Sequence, residues 1–380
     1  MSRPRLLVLS FSRIEGDARV LKQVRRLKEH FELVTCGYGS APDPDVPHLQ
    51  VPDEAVNRLD GRLITLRAYR AAYAAQAGVR WVLAHLPRGS ADLVLANDLD
   101  AVPVALWLRP GLGVHADLHE FFPLLHEHDD AWMRRIAPYQ DWLCRTFLPR
   151  AGAVTTVSQG LAREYTRRYG IEVDVVRNAT PYADLGPTPA GPEGPRLVHS
   201  GACLRHRRLH LMIEAAGLLG TGVPFDLYLT PNDPAYLAEL RDLAAGVPGV
   251  TVRDPVPYAE LVPTLNRYQV GVFLLPPTTF SYTWALPNKV FDFVQARLAT
   301  VVGPSPEMAE LVRERRLGVV AEDFTPQALA DALAGLDPAA VAEYQASAHA
   351  QALELSDATE SSKWLDSLRG IAGLPAVVDR

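Results

Sequence analysis

Three short strings carry residues whose types and spacing could do chemistry. The first is Ser200-Gly201-Ala202-Cys203-Leu204-Arg205-His206-Arg207-Arg208, directly after an apolar strand pattern. A glycine at a strand end lets a ligand approach the backbone, a following helix end offers free N–H groups, and three arginines supply charge. The string therefore reads as a cradle for a phosphate, or else as a solvated basic helix start, being neither GxGxxG nor a Walker-type loop. The second string is Ser281-Tyr282-Thr283-Trp284-Ala285-Leu286-Pro287-Asn288-Lys289-Val290-Phe291-Asp292-Phe293. Pro287 presets a helix start, so first-turn N–H groups and the Lys289 ammonium are expected to face the same anion. Asp292, one turn on, offers a carboxylate to paired hydroxyls such as those of a ribose; an exposed Lys289–Asp292 pair is the alternative.

The third string is His115-Ala116-Asp117-Leu118-His119-Glu120-Phe121-Phe122-Pro123. His119 could donate to a charged or carbonyl oxygen, and Asp117 or Glu120 could take a proton from an incoming hydroxyl. A histidine at a strand end is also compatible with a purely structural role. The run His126 to Asp130 lacks helical ligand spacing, and no His-Glu-x-x-His pattern occurs, so no metal site is expected. Asp17 is a helix N-cap, and the basic positions Lys22, Arg25, Arg26 and Lys28 after it could meet acidic headgroups or form a wet face.

These strings need a scaffold, and the hydrophobic pattern supplies one. Leu6 to Leu9, Phe31 to Cys36, Ala91 to Ala96, Ala153 to Val157 and Val173 to Val176 read as strands, alternating with helices. One long helical stretch is expected from Asn57 to Leu86, and a capped helix after Asn97-Asp98-Leu99-Asp100. Prolines and glycines crowd Pro181 to Pro195, which reads as a linker. The rhythm then restarts: strands at Arg196 to His199, Phe225 to Leu229, Val270 to Leu275 and Thr300 to Val302, with helices between them. Such alternation implies two parallel, doubly wound sheets. The expected division is 1–183, a linker at 184–195, 196–345, and a C-terminal helical segment at 346–380.

The 380 residues, 48% of them hydrophobic and 22% charged, suit two soluble globular domains and exclude a disordered or fibrous chain. A net charge of −6 disfavours nucleic acid as a partner and requires any anion site to be a local construction. Lysine occurs only at Lys22, Lys28, Lys289 and Lys363, so Lys289 stands alone in the expected second domain. Cys36, Cys144 and Cys203 are odd in number and far apart, which fits a reducing, cytoplasmic setting. No apolar run approaches a membrane span, and the N-terminal run is too short for a signal peptide, leaving at most peripheral membrane contact.

Taken in order, Arg13 to Leu27, Asn97 to Asp100, His119-Glu120, Val157 to Gly160, Arg177 to Ala179, His199 to Gly201 and Leu286 to Asp292 resemble the GT-B glycosyltransferases of the family-4-like group. The resemblance runs from about residue 6 to 335. It implies two Rossmann-like domains facing a central cleft, the first for the acceptor and the second for the nucleotide-sugar. It further implies transfer of a hexose-type sugar from a nucleoside-diphosphate sugar to a hydroxyl, with retention and without a metal or other cofactor. By the same resemblance, Gly201, Arg205, Arg207, Ser281, Tyr282, Asn288 and Lys289 hold the donor and Asp292 its ribose. His119 lies near the bond that breaks, and Asp98 and Glu120 line the side of a small-molecule, glycan or lipid-linked acceptor. A C-terminal helix crosses back over the first domain. Where the family often carries two glutamates, this chain has Trp284 and Asp292, which opens the way to an unusual or deoxygenated sugar. A sugar-nucleotide epimerase and a non-catalytic nucleotide-sugar-binding protein are the alternative readings.

Overall fold

The computed structural model describes residues 3–220 and 222–375. Residues 1 and 2, and residues 376–380 of the expected C-terminal segment, lie outside the described residues. The chain divides into two compact units, one of residues 1–177 with 360–380, the other of residues 178–359.

The first unit holds a seven-stranded sheet: β1 (Arg5–Arg13), β2 (Glu32–Tyr38), β3 (His48–Gln50), β4 (Leu93–Asn97), β5 (Gly113–Leu118), β6 (Ala153–Thr156) and β7 (Asp174–Val175). Their spatial order is β3-β2-β1-β4-β5-β6-β7, every pair parallel. A parallel sheet covered on both faces needs continuously apolar strands, and Leu6 to Leu9 and Leu93 to Ala96 are accordingly buried. The order reverses direction beside β1, and in such sheets the loops at the carboxyl ends of the strands are where ligands bind. After β1, Asp17 caps the helix Ala18–Leu27 by accepting from the backbone N–H groups of Arg19 and Val20. Of the basic face expected on this helix, Lys22 is buried and Lys28 is tied to Asp43 at 2.7 Å.

The second unit holds six parallel strands: β8 (Leu197–Ala202), β9 (Phe225–Thr230), β10 (Val250–Arg253), β11 (Val270–Phe273), β12 (Ala299–Val302) and β13 (Gly318–Val320), in the order β10-β9-β8-β11-β12-β13. Its strands feed two cores in alternation. Leu197, Val270 and Val272 join one face, while Val198 and Phe273 join the other, as the period-2 geometry of a strand demands. The helix Asn288–Gln295, which carries Lys289, packs closely on β11 because Gly271 has no side chain. A Cβ there would lie 2.4 Å from the Phe293 ring.

Three expectations are corrected. The stretch Asn57 to Leu86 is not one helix but three, Gly61–Thr65, Tyr69–Ala74 and Ala77–His85. Arg67 at φ 53° turns the chain, and Asn57 Oδ1 accepts from the N–H groups of Gly78 and Val79 at the start of the third. The proline-rich segment is not a free linker. Gln269 donates to the carbonyls of Thr188 and Pro189, Gln345 donates to Thr188, and the buried Arg297 donates to the Ala183 carbonyl at 2.6 Å. Residues from Asn178 onward therefore belong to the second unit. Finally, the C-terminal segment is two helices: Pro338–Gln351 stays with the second unit, and Asp357–Ile371 passes into the first. There Leu365 and Leu368 enter the core beside Leu6, Val8 and Leu95.

Gly271→Ala should push Phe293 and its helix outward, lowering stability by roughly 1–3 kcal/mol. Urea denaturation measures this, and a midpoint equal to that of the unaltered protein would refute the close packing.

Candidate functional site

In the second unit, β8, the loop after it and the start of the helix Asn288–Gln295 bring three groups to Gly201. A Cβ on that glycine would lie 3.4 Å from both His199 Nε2 and Lys289 Cε, and 3.8 Å from Arg207 Nη1. His199 Nδ1 donates to the Val272 carbonyl at 2.9 Å, which leaves Nε2 as the acceptor of a neutral ring. Burial pushes this histidine down to about 3, with the Lys289 and Arg207 charges acting in the same direction. The two cations thus stand beside open backbone and an imidazole that adds no charge. Ser200, just before Gly201, is buried, and its hydroxyl has no partner among the described residues. Its place in the expected cradle was legible, but not that it would be left unpaired.

The other expected donor residues fall into different places. Arg205 is turned away: its guanidinium forms two 2.7 Å contacts with Glu239 and lies over the Tyr236 ring. Arg208 is exposed and takes the left-handed conformation at φ 51°. The three-arginine cradle is in fact a single arginine, Arg207, joined by Lys289. Asp292 is buried rather than open to a diol. Its Oδ1 accepts from the Thr180 hydroxyl at 2.6 Å and its Oδ2 faces Lys289 Nζ at 3.3 Å, so it orients the ammonium. Asn288 accepts from Asn178 Nδ2 at 3.1 Å. Ser281 and Tyr282 sit on the short helix Phe280–Thr283, where the Tyr282 ring tilts against His206 with centroids 5.6 Å apart.

In the first unit, His119 follows β5 and Asp98 follows β4, neighbouring strands. Asp98 does not cap a helix by its side chain, as expected, but adopts φ 64°. In that conformation its N–H donates to the Asp117 carbonyl at 2.8 Å and its Oδ1 accepts from the His119 N–H at 3.1 Å. The His119 ring then stands between two carboxylates, Nδ1 at 3.3 Å from Asp98 and Nε2 at 3.5 Å from Asp117. Burial disfavours the imidazolium, but Asp98 and Asp117 outweigh it and hold His119 above the ordinary histidine range. Burial likewise raises Asp98, and burial with Asp98 nearby pushes Asp100 up to about 6. Glu120 is half-buried, and its backbone carbonyl accepts from Tyr165 at 2.7 Å.

Asp117, expected as a possible proton acceptor, is fully buried and saturated. Arg19 grips it through Nε and Nη2, each at 2.7 Å, Gln23 donates at 2.8 Å and Thr155 at 2.6 Å. Burial alone would raise the carboxyl, but the Arg19 and His119 charges and hydrogen bonds hold it well below the usual carboxylate range. Arg19 and Gln23 lie one helical turn apart, the only local signal of this grip. Among the described residues, no group of three or more His, Cys, Asp or Glu side chains is placed to hold a metal ion, and no helix is long and apolar enough to cross a membrane.

Two parallel, doubly wound sheets, each with polar groups collected at the carboxyl ends of its strands, constitute the GT-B fold, and Glycosyltransferase Family 4 matches residues 18–183. The chain has the GT-B fold. Solved structures agree on the fold. Anabaena HepE in complex with UDP and glucose is 16% identical, with a TM-score of 0.70 over 96% of this chain and 99% of that one. A glycosyltransferase from Rickettsia africae gives 12%, 0.71, 98% and 99%, and α,α-trehalose 6-phosphate synthase from Burkholderia multivorans 14%, 0.68, 98% and 99%. No curated protein matches the sequence.

A raised histidine has a sign that can be tested. The folded protein holds the His119 proton more tightly than the unfolded chain, so this contribution is full below about pH 6.5 and disappears as pH rises through the folded value. The stability difference between the unaltered protein and His119→Gln, measured by thermal unfolding, should therefore shrink between about pH 6.5 and 9. A difference that grows with pH would contradict the geometry.

Proposed function

We propose that the protein transfers a sugar from a uridine-diphosphate sugar to a hydroxyl group of an acceptor, with retention and without a divalent metal. The observation that carries this reading is the convergence of Lys289, Arg207 and the Gly201 backbone on one spot at the end of β8. Such a spot suits a diphosphate. Two fixed cations and backbone dipoles stabilise the charge that grows on the leaving group, the role a divalent ion otherwise fills. Asp292 beneath Lys289 holds the ammonium in place. The complexes of Anabaena HepE with UDP and with UDP-glucose support uridine as the base.

On the first unit, His119 is the group we assign to the bond that breaks. Held between Asp98 and Asp117, the charged ring can donate to the departing sugar oxygens. A β-phosphate oxygen of the leaving group takes the acceptor's proton on the same face, which gives retention. Asp98, with Glu120 beside His119, lies on the acceptor side. A small-molecule, glycan or lipid-linked hydroxyl fits this role. The three buried free thiols, Cys36, Cys144 and Cys203, are consistent with a cytoplasmic setting.

A thermal-shift comparison of UDP with GDP, dTDP, CDP and ADP tests the donor. UDP at 100 times its Kd should stabilise the protein by about 2.7 kcal/mol, and stronger stabilisation by another nucleotide would reassign the base. Lys289→Ala and Arg207→Ala should each weaken that binding by about 10- to 100-fold, the range for a hydrogen bond to a charged group; unchanged affinity refutes the diphosphate site. Transfer measured with EDTA present should equal transfer without it, and a strict requirement for added Mg²⁺ or Mn²⁺ would overturn the metal-independent mechanism.

A further inference from the structure

The carboxylate that supports His119 is reached twice from the last helix of the chain. The first route is ionic. Trp364, fully buried on the helix Asp357–Ile371, lies with its ring 4.6 Å from the Arg19 guanidinium, whose N–H edge grips Asp117. The Trp364 indole N–H has no partner among the described residues, so the ring is held there for its face, which stabilises a desolvated cation. The second route is a directed chain of hydrogen bonds. Burial pushes His115 down to about 4, so the ring is neutral and has one donor and one acceptor. Thr155 donates to Asp117 at 2.6 Å; its oxygen therefore accepts from His115 Nε2 at 2.9 Å. His115 Nδ1 is then the acceptor, and Ser367 donates to it at 3.1 Å. Both routes end on Asp117, and both start on one face of the same helix.

We infer that Trp364 and Ser367 are positioning residues, through which the C-terminal helix sets the orientation of Asp117 and hence of His119. The same helix ties down the end of β7. Glu360 accepts from the Arg177 N–H at 2.8 Å and Lys363 donates to the Val175 carbonyl at 3.3 Å, next to Val176, whose carbonyl accepts from Arg19 at 3.0 Å. The charged groups facing His119 are Asp98, Asp117 and Arg19, with the His115 ring neutral behind Thr155. The catalytic consequence rests on the glycosyl-transfer reading above; the structural link does not.

The test is a histidine NMR titration of the full chain, with the His119 signal assigned by its loss in His119→Gln. Trp364→Leu and Ser367→Ala should each move the His119 midpoint down toward the ordinary value. They should lower kcat about 10-fold while donor KM and UDP affinity stay the same. Trp364→Phe keeps an aromatic face and should retain both. If Trp364→Leu does not fold, Ser367→Ala, which loses only a hydroxyl, decides. An unchanged His119 midpoint in a folded Ser367→Ala protein overturns the inference. Absence of transfer in every protein, including the unaltered one, overturns only the glycosyl-transfer reading, since the titration needs no turnover.

Discussion

The first unit depends on burying a charge. Asp117 sits at the end of β5 with no access to water, and an unpaired carboxylate there would be several kcal/mol too costly. It is tolerated because every lone pair direction is used: the fork of Arg19 supplies two donors, Gln23 and Thr155 one each. That demand explains the surrounding choices. Helix Ala18–Leu27 must start where Arg19 can reach inward, so Asp17 caps it. Gln23 must be fixed in turn, and it exchanges hydrogen bonds with Asn97 on the neighbouring strand. An ion pair this enclosed adds little net stability, but it permits only one arrangement of its neighbours. His119 inherits that definition.

The second unit solves a similar problem with opposite polarity. Lys289 and Arg207, two like charges, stand beside the same glycine. Asp292 offsets one of them from below, and Thr180 keeps that carboxylate from rotating away. His199 remains neutral beside them because its Nδ1–H is committed to a strand carbonyl. Elsewhere in this unit, Arg297 is buried without a carboxylate, satisfied by the carbonyls of Ala183, Val294 and Gln295. Arg297 is thus placed by backbone oxygens, whereas Lys289 and Arg207 stand beside the Gly201 backbone.

The central strands were legible in the sequence because strands buried on both faces are continuous apolar runs. The edge strands β3, β10 and β13 were not, being only three or four residues long. Gly201, Arg207 and Lys289 could be named from local chemistry, since a strand-end glycine and nearby cations leave a short-range pattern. The Asp117 partner of Arg19 and the Thr180 partner of Asp292 could not. They stand 98 and 112 residues away along the chain, and nothing local announces such a pair. Asp98 misled for a related reason: Asp before a helix usually caps it, but here the backbone turns to φ 64° so that both its N–H and its carboxylate serve the β5 end. The prolines of the 184–195 segment signalled irregular backbone correctly, yet irregular backbone can still be pinned to a core.

The division of the chain sets an order of assembly. The second unit is contiguous, residues 178–359, whereas the first is completed by residues 360–380. A ribosome extrudes the chain from the N-terminus. The sheet that emerges first must therefore wait, with the places of Leu365, Leu368 and Trp364 empty, while the later unit is synthesised and can close on its own. The Arg19 side chain spends that interval without its aromatic cover. The histidine centre is thus completed only after the second unit has been synthesised.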